Sequence, residues 1–418
     1  MDELKLSGKP FDISKAEVWQ AWEKVKENKG APGVDGCSIA DFETDLKNNL
    51  YKVWNRMSSG SYFPPPVRAV EIPKKAGGTR TLGVPTVADR VAQTVVRLYL
   101  EPEVEPSFHP DSYAYRPGRS ALDAVATCRQ RAWKMDWVID LDIRAFFDSL
   151  PHDLLLMAVS KHTHLRWIRL YVERWLVAPL QREDGTLVAR DRGTPQGSAI
   201  SPLLANLFLH YAFDMWLTRH FPAVRFERYA DDAVIHCATE AQARRVLDAI
   251  RQRLAQVGLE LHPDKTRIVR CKEDGRHGTH PVGRFDFLGF TFRRRVVRGP
   301  RGLFEGFVPA ISDDAAKAIR HTIRRWRLHL HSDRSLDDLA RTVNPSVRGW
   351  IGYYGRFYRS ELSKSLRRID AYLVRWAMRK YRKLRYARRR AVAWLARVRR
   401  RVPTLFAHWA AGLQPSAG

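Results

Sequence analysis

Three aspartates in two short stretches are the strongest candidates for chemistry in this 418-residue sequence. Asp231 and Asp232 stand side by side between residues 225–228 and 233–237, whose strand-like composition predicts a β-hairpin with the acids at its tip. Asp142 ends another run that predicts a buried strand. An isolated pair of aspartates is more simply a solvated turn, but acids that converge from neighbouring strands can hold two metal ions about 3.5–4 Å apart for phosphoryl transfer. We therefore predict that these three catalytic aspartates are the ligands of two Mg²⁺ ions.

The composition predicts a folded protein of more than one domain. With 418 residues and 44% hydrophobic content, the chain can bury a large core and exceeds one compact unit, so two or three domains are expected. No run approaches the roughly 18 apolar residues of a membrane span, and the polar start is unlike a signal peptide. We expect no membrane partner and a cytoplasmic location. The four cysteines are far apart in sequence, which predicts neither a disulfide framework nor a zinc site.

The positive charge is large and uneven. The formal net charge is +27 and the pI is near 10.3, which indicates a polyanionic partner. Residues 315–402 contain 26 Lys or Arg against 5 Asp or Glu, a local charge of +21. Aromatic residues are interleaved with these arginines, and guanidinium groups for phosphate beside rings for base stacking are typical of RNA binding. The aromatic residues are Trp326, Trp350, Tyr353, Tyr354, Tyr358, Trp376, Tyr381 and Trp394.

Two elements are predicted ahead of the first aspartate. Residues 16–26 predict an amphipathic helix, and a Gly- and Pro-rich loop follows at residues 28–36. Two strand-like runs around Gly77 and Gly78 predict a β-hairpin. The expected buried face of the helix is Val18, Trp19, Trp22 and Val25, and the cations spaced along the hairpin are Arg68, Lys74 and Arg80.

The basic C-terminal region predicts a bundle of three helices. Ser312 is a favourable helix start, a short helix is expected at residues 336–343, and residues 362–376 carry an apolar stripe at heptad-like spacing. Residues 385–401 are basic enough to bind DNA or RNA. The predicted buried faces are Ile319, Ile323, Trp326 and Leu330 on the first helix, and Leu362, Leu366, Ile369, Leu373 and Trp376 on the last.

Three motifs resemble the palm motifs of group II intron reverse transcriptases, also called intron-encoded maturases. They are Asp-Ile-Arg-Ala-Phe-Phe-Asp at residues 142–148, the segment that begins Arg-Gly-Thr-Pro-Gln-Gly at residue 192, and Tyr-Ala-Asp-Asp at residues 229–232. The similarity extends over about residues 25–380, in the family's order and spacing. No paired Cys-x-x-Cys follows residue 385, so the chain resembles the short bacterial members that lack a C-terminal endonuclease.

The resemblance implies an α+β fold with the right-hand architecture of a polymerase. Fingers and palm with antiparallel sheet would be followed by an α-helical thumb, or maturase domain. The implied domains are an N-terminal helix and template-gripping loop at residues 1–60, fingers and palm at 61–300, the thumb at 301–384 and a basic DNA- or RNA-binding extension at 385–418.

The resemblance also implies roles for individual residues. Phe147 lies where the family places a bulky residue beneath the sugar, so its ring would collide with the 2′-hydroxyl of a ribonucleotide. The alternative for Phe147 is ordinary core packing. Nucleotide contacts are implied for Arg68, Lys74, Arg80, Phe147, Gln196 and Lys265, and RNA contacts are expected for Arg116, Arg119, Arg348, Trp350, Arg375 and Arg379.

The expected function is RNA-directed DNA polymerisation. The chain would bind its group II intron RNA as template and splicing substrate, and would extend a DNA primer with deoxynucleoside triphosphates. We expect it in a nucleoid-associated ribonucleoprotein of a bacterium. Two alternatives remain: a maturase that acts mainly as an RNA-binding protein, against which the three converging acids argue, and a domesticated reverse transcriptase in defence or repair, which would share the palm.

Overall fold

The computed structural model describes residues 9–73, 77–271, 282–299 and 302–412. The chain forms two compact units. The first is drawn from residues 1–120, 141–235 and 241–267, and the second from residues 121–140, 236–240 and 268–418. Within the described ranges, no helix is long and apolar enough to cross a membrane.

Helices and strands alternate along the described chain, so the predicted α+β class is confirmed. The helices are α1 (Lys15–Asn28), α2 (Ile39–Thr44), α3 (Leu46–Ser58), α4 (Val87–Val104), α5 (Ala121–Ala132), α6 (Phe146–Ser149), α7 (His152–His162), α8 (Arg166–Val177), α9 (Ser201–Leu209), α10 (Met215–His220), α11 (Glu240–Gln256), α12 (Asp313–Arg325), α13 (Leu336–Tyr354), α14 (Arg359–Lys380), α15 (Arg388–Arg401) and α16 (Ala407–Ala410). The strands are β1 (Val67–Pro73), β2 (Thr79–Val84), β3 (Trp137–Asp142), β4 (Leu180–Gln181), β5 (Leu187–Val188), β6 (Arg225–Tyr229), β7 (Asp232–Cys237), β8 (Arg267–Arg270), β9 (Arg284–Phe287), β10 (Phe290–Gly299) and β11 (Gly302–Ile311).

Helix α1 confirms the helix predicted at the start of the chain. It begins at a capping box, in which the Ser14 hydroxyl accepts from the Glu17 N–H and the Glu17 carboxylate accepts from the Ser14 N–H. The assignment of Trp19 to the buried face was wrong, because this side chain is 50% exposed and Ala21 lies on the buried side. The predicted loop follows, and Arg90 on α4 donates to its backbone carbonyls.

The predicted hairpin around Gly77 and Gly78 is present. Strands β1 and β2 pair antiparallel, with Arg68 opposite Val84 and Ile72 opposite Arg80. The two short strands β4 and β5 extend this sheet in the order β2-β1-β4-β5. Paired residues share a face, and so do residues four apart on one strand. Arg68 and Arg80 therefore lie on the same face of the hairpin, whereas Lys74 lies outside the described residues.

The strands that carry the three aspartates belong to a four-stranded sheet with the order β6-β7-β3-β8. Strands β6 and β7 are the arms of the predicted hairpin, and β3 ends at Asp142 as predicted. The inner strands β7 and β3 are buried along almost their whole length, as a sheet covered on both faces requires. Asp142 ends one strand of this sheet, and Asp232 begins another.

A buried carboxylate on α4 links the core of the first unit to the Pro-Gln-Gly loop. Asp89 is 1% exposed and accepts hydrogen bonds from Trp175 Nε1 (2.7 Å) and the Tyr62 hydroxyl (3.0 Å). Gln93 Nε2 donates a third bond (2.9 Å), and Gln93 Oε1 accepts from the Ser198 hydroxyl (2.5 Å). Burial raises the pKa of Asp89 to about 6, although these three bonds oppose the shift.

The second unit contains a three-stranded antiparallel sheet in the order β11-β10-β9. Residues 285–292 form the tight β9-β10 hairpin. Phe287 pairs with Phe290 across a two-residue turn, and the ring of Phe285 stacks on that of Phe292 with centroids 4.7 Å apart. All four rings are fully buried, so the hairpin is part of a core and not a surface ribbon.

The predicted helical bundle follows. Helix α12 begins after Ser312, whose hydroxyl accepts from the Ala315 N–H (3.2 Å), and it buries Ile319 and Ile323 as predicted. The assignment of Leu330 to this face was wrong, because Leu330 lies past the end of α12 and is 46% exposed. Helix α14 buries the whole predicted stripe, namely Leu362, Leu366, Ile369, Leu373 and Trp376.

Helix α13 is longer than the sequence predicted. Its expected end was near Val343, but the helix continues through Pro345 to Tyr354. A proline inside a helix removes one hydrogen-bond donor and clashes with the preceding turn. Here Val343 is fully buried, and the Asn344 side chain donates to the Leu405 carbonyl (2.9 Å). Tertiary packing of the residues just before the proline therefore outweighs the local penalty.

The basic segment at residues 385–401 is also packed. Helix α15 buries Ala391 and Leu395 in the apolar core that contains the α14 stripe, and Phe406 and Trp409 belong to the same core. The core therefore continues across the boundary predicted between residues 384 and 385.

We predict that the buried Asp89 makes stability depend on acid pH. The pKa of Asp89 in the folded protein, about 6, is above its ordinary value. The protonated carboxyl therefore contributes fully to the free energy of unfolding below about pH 4, and this contribution is lost as the pH rises through 6. The wild type should lose about 3 kcal/mol of unfolding free energy relative to Asp89→Asn over this window. Denaturant titrations of both proteins between pH 4 and 7 measure the difference, and parallel stability curves would contradict the prediction.

Candidate active site

The predicted hairpin tip is the turn between β6 and β7. Tyr229 ends the first strand, Ala230 and Asp231 form the turn, and Asp232 begins the second strand. Ala230 has φ of +58°, a left-handed conformation that costs a residue with a side chain roughly 1–2 kcal/mol. The surrounding structure must therefore hold this turn in place.

Asp142 lies at the same site, at the end of β3, where residues 260–266 bond to the backbone. Its backbone carbonyl accepts from the His262 N–H (2.8 Å), and the neighbouring Arg144 N–H donates to the Glu260 carbonyl (2.8 Å). Lys265 Nζ lies 2.9 Å from Asp142 Oδ2, with side chains that are 59% and 24% exposed. The structure thus brings Lys265, expected near the triphosphate, directly to the acids.

The charges of the aspartates interact. Burial raises the pKa of the Asp231 carboxyl, and the negative charge of Asp142 raises it further, whereas Lys265 and Arg228 act in the opposite direction. Burial, Asp231 and Tyr229 likewise raise the pKa of the Tyr115 hydroxyl. Asp142 and Tyr115 therefore lie within electrostatic range of Asp231. Hard oxygen ligands and unbalanced negative charge are what a divalent cation prefers.

Phe147 and the Pro-Gln-Gly loop are joined by backbone hydrogen bonds. The Thr194 N–H donates to the Phe147 carbonyl (2.7 Å), and the Gly193 N–H donates to the Leu150 carbonyl (2.7 Å). A Cβ on Gly193 would lie 2.8 Å from the backbone of Asp148, so only glycine permits this approach. Phe147 is half-buried, whereas the preceding Phe146 is 2% exposed and belongs to the core.

The same loop also contacts the predicted fingers. The Gly83 N–H on β2 donates to the backbone carbonyl of Gln196 (2.8 Å). Arg80 is exposed on the hairpin and Arg68 is half-buried. The buried Nε of Arg68 has no hydrogen-bond acceptor within the described part of the chain, which leaves a donor available for a ligand. Lys74 cannot be placed, since it lies outside the described residues.

Arg116 and Arg119, the two arginines of the Tyr-Arg-Pro-Gly-Arg-Ser motif at residues 115–120, have different surroundings. Arg116 donates to the Glu105 carboxylate (2.7 Å) and to the carbonyls of His109 and Ser112, and its side chain is 5% exposed. Arg119 is exposed. Arg116 therefore stabilises its own loop, and Arg119 has the surface position that contact with RNA requires.

The remaining expected RNA contacts lie on the helices of the second unit. Arg348 on α13 and Arg375 and Arg379 on α14 are exposed. Trp350 is half-buried and stacks on Trp326, with ring centroids 5.4 Å apart. The arginines are available to a partner, whereas Trp350 packs within the bundle.

Sequence reasoning missed a buried charged network beneath the turn. Arg228 is 1% exposed and forms an ion pair with the fully buried Asp214, with its Nη2 2.6 Å from Asp214 Oδ2. The same guanidinium bonds Asn206, Ser112 and the carbonyl of Ala230. The available signal was weak, because β6 also contains the charged residues Arg225 and Glu227, and composition alone does not distinguish a buried arginine from an exposed one.

Comparisons with known proteins agree with this geometry. Residues 72–292 match the family model described as reverse transcriptase (RNA-dependent DNA polymerase), and residues 316–401 match the group II intron maturase-specific domain. The first match covers the sheet that holds the aspartates and, from residue 72 onward, the sheet that contains the cationic hairpin. The second covers the basic helices α12 to α15.

Individual curated proteins are also similar in sequence to this chain. The chain is 32% identical to protein YkfC of Escherichia coli K12, over 65% of this chain and 78% of that protein. It is 32% identical to the group II intron-encoded protein LtrA of Lactococcus lactis, over 46% of this chain and 32% of LtrA. It is 23% identical to the retron Ec73 reverse transcriptase of Escherichia coli, over 51% of this chain and 66% of that protein. The chain thus spans most of one relative and about a third of LtrA. It belongs to the reverse transcriptase family, as an RNA-directed DNA polymerase with a group II intron maturase-specific domain.

Proposed function

We propose that this polymerase copies a group II intron RNA into DNA, with Asp142, Asp231 and Asp232 as ligands of two Mg²⁺ ions. Reverse transcriptases depend on divalent metal ions. The observation that carries the assignment is the electrostatic coupling of Asp142 and Asp231 where β3 ends and β7 begins. A buried carboxylate whose pKa is raised by burial and by a second carboxylate forms a site that a cation stabilises.

The residues around this site would have separate roles in nucleotide addition. When bound, the ions would supply Lewis acidity at the primer 3′-hydroxyl and at the triphosphate. Lys265, which pairs with Asp142 here, would turn to the triphosphate once that carboxylate binds a cation. Arg68 and Arg80 lie on one face of the fingers hairpin and would bind phosphate oxygens together with Lys74. Gln196 would hydrogen-bond the incoming nucleotide from its fixed loop.

The position of Phe147 supports its role as a steric gate. A residue that only filled the core would be fully buried, as Phe146 is, but Phe147 keeps part of its ring accessible. Its backbone is fixed by the bond to Thr194, so the ring cannot easily retreat from a 2′-hydroxyl. A fixed wall of this kind rejects ribonucleotides by a clash.

The second unit would hold the RNA. Helices α14 and α15 bury one apolar face and present exposed arginines on the other, so the charge there is ordered and not diffuse. Arg348, Arg375 and Arg379 would bind phosphates, and Arg119 would do so on the first unit. Trp350 would contribute through the packing of α13. A polymerase bound to RNA and DNA in this way would be found with the nucleoid of its cell.

The maturase-specific match favours an intron RNA over other templates. That domain covers residues 316–401, and LtrA carries group II intron-encoded protein as its name. The chain would therefore bind its intron to assist splicing and would prime DNA synthesis at a DNA target. A role in defence or repair is the second candidate, which the similarity to a retron reverse transcriptase favours.

The metal assignment predicts that Asp231→Asn abolishes nucleotide incorporation and leaves RNA affinity within a few-fold of wild type. Asn keeps the shape but removes the charge that a cation requires. Primer extension and filter binding on the same preparations measure the two properties. Asp248→Asn, on the exposed side of α11, is the matched control and should keep full activity. Polymerisation by Asp231→Asn near the wild-type rate would refute the assignment.

The gate predicts that Phe147→Ala incorporates ribonucleotides while deoxynucleotide use falls only modestly. Phe146→Ala is the matched control, because truncating a fully buried ring should cost roughly 3–5 kcal/mol of stability and reduce both activities together. Single-nucleotide incorporation with matched ribo- and deoxynucleotides, beside a melting curve, separates the two effects. A folded Phe147→Ala protein that still rejects ribonucleotides would exclude the gate.

The RNA surface predicts a change in salt dependence when exposed arginines on the second unit are neutralised. For every phosphate that is no longer bound, the slope of log affinity against log salt should fall by about 0.7 to 0.9. The test variant replaces Arg375, Arg379, Arg389, Arg397 and Arg400 by Gln.

The control for this experiment makes the same change in net charge on exposed helix positions of the first unit. An equal change of slope in both variants would show that only overall charge matters, and an unchanged slope in the test variant would show that these arginines are a solvated face. The control replaces Arg166, Arg169, Arg219, Arg245 and Arg251 by Gln.

A further inference from the structure

All five N–H donors of the buried Arg228 guanidinium have acceptors. Nε and Nη2 donate to the two carboxylate oxygens of Asp214 (2.7 and 2.6 Å), and Nη2 also donates to the Ser112 hydroxyl (2.8 Å). Nη1 donates to Asn206 Oδ1 and to the backbone carbonyl of Ala230 (both 3.1 Å). A guanidinium held at every donor is fixed in position and orientation.

These partners come from separate parts of the first unit. Asn206 lies on α9, which follows the Pro-Gln-Gly loop, and Asp214 ends the π-helical turn after α9. Ser112 lies before the Tyr-Arg-Pro-Gly-Arg-Ser motif, and its segment is also bonded to the backbone of Arg228, through the carbonyl of Asp111 and the N–H of Tyr113 (both 2.9 Å). Arg228 therefore joins three segments to the turn that carries the acids.

The bond to Ala230 is the one that bears on the reaction. Ala230 holds the left-handed φ of +58°, and its carbonyl belongs to the peptide unit that leads into Asp231. Fixing that carbonyl fixes the plane of the peptide, and with it the direction in which the Asp231 side chain leaves the backbone. Without this bond, the strained turn could relax to an ordinary conformation and move the carboxylate.

We propose that Arg228 is a positioning residue for polymerisation: through the Ala230 carbonyl it sets the geometry of the Asp231-Asp232 turn, and Asp214 holds it in place. The inference rests on the proposed metal role of Asp231 and Asp232. Stability alone is a weak reason for the pair, since well-packed apolar residues can often replace a buried ion pair without loss. The hydrogen bond to the turn is the contribution that apolar residues cannot replace.

The double variant Arg228→Met with Asp214→Leu tests this distinction. It removes both charges, so neither is left buried alone, and keeps the volume apolar. We expect a melting temperature near that of wild type and primer and dNTP KM values within a few-fold. The kcat should fall roughly 100-fold, the scale of a catalytic group misplaced by about 1 Å. Mn²⁺ binding, followed by electron paramagnetic resonance, should weaken, a readout that is independent of turnover.

The single variant Arg228→Lys decides the matter if the double variant does not fold. Lysine keeps the charge and can pair with Asp214, but one nitrogen at the end of a flexible stem cannot bond Asp214 and the Ala230 carbonyl in the same geometry. We expect a folded protein with reduced kcat and weakened Mn²⁺ binding. Wild-type kcat in either folded variant would overturn the proposal, since the bond to the turn would then be dispensable.

Two control variants distinguish a loss of positioning from a loss of stability and from a failure of the metal assignment. Ile250→Ala leaves a cavity under α11, away from the turn, and should lower the melting temperature without changing kcat. If it lowers kcat as much as Arg228→Lys does, the effect is one of stability and the proposal fails. Asp231→Asn reports on the metal assignment itself. An inactive Asp231→Asn beside a fully active Arg228 variant would overturn the positioning role alone, and an active Asp231→Asn would overturn both.

Discussion

Asp142 and Asp231 are held close enough for the negative charge of Asp142 to add to the effect of burial and raise the pKa of Asp231. Two carboxylates in a partly buried site would separate if their backbones allowed it. The backbones do not allow it. Asp142, at the end of β3, is held by backbone hydrogen bonds to residues 260–266. Asp231 follows Ala230 in a strained turn, and Arg228 donates a hydrogen bond to the Ala230 carbonyl. Backbone hydrogen bonds thus keep the two carboxylates close despite their like charges, and perturbed pKa values of this kind cluster at functional sites.

Arginine has two physical roles in this chain that composition does not distinguish. Arg228 and Arg116 are almost fully buried, and their donors are taken by carboxylates, carbonyls and side chains. Arg375 and Arg379 are exposed on a helix whose other face is apolar. The net charge of +27 counts both kinds equally. Only the second kind can release counterions from a nucleic acid, so the formal charge overstates the surface that binds RNA.

Local patterns predicted the hairpin tip, the capped start of α12 and the apolar stripe of α14, because each depends on residues close together in sequence. The errors have long-range causes. Trp19 is apolar, but its side chain is half exposed and does not pack in a core. Pro345 is tolerated inside α13 because the neighbouring Asn344 side chain donates a hydrogen bond to the Leu405 carbonyl. The network of Arg228 could not be predicted, since one of its partners is 116 residues away along the chain. A buried arginine requires hydrogen-bond acceptors, but the sequence does not predict which residues provide them.

Apart from the ion pair of Lys265 with Asp142, the residues proposed to face the nucleotide are connected to their surroundings through backbone hydrogen bonds. The Pro-Gln-Gly loop bonds the Phe147 carbonyl at Thr194 and bonds β2 through the Gln196 carbonyl. A Cβ on Gly197 would lie 2.8 Å from the Gly83 carbonyl oxygen, so the loop and the strand touch without room for a side chain. Such contacts transmit a displacement almost completely, because peptide units are stiff and close-packed. The β1-β2 hairpin and the segment that contains Phe147 are therefore both bonded to the same loop, which limits how far either can move without the other.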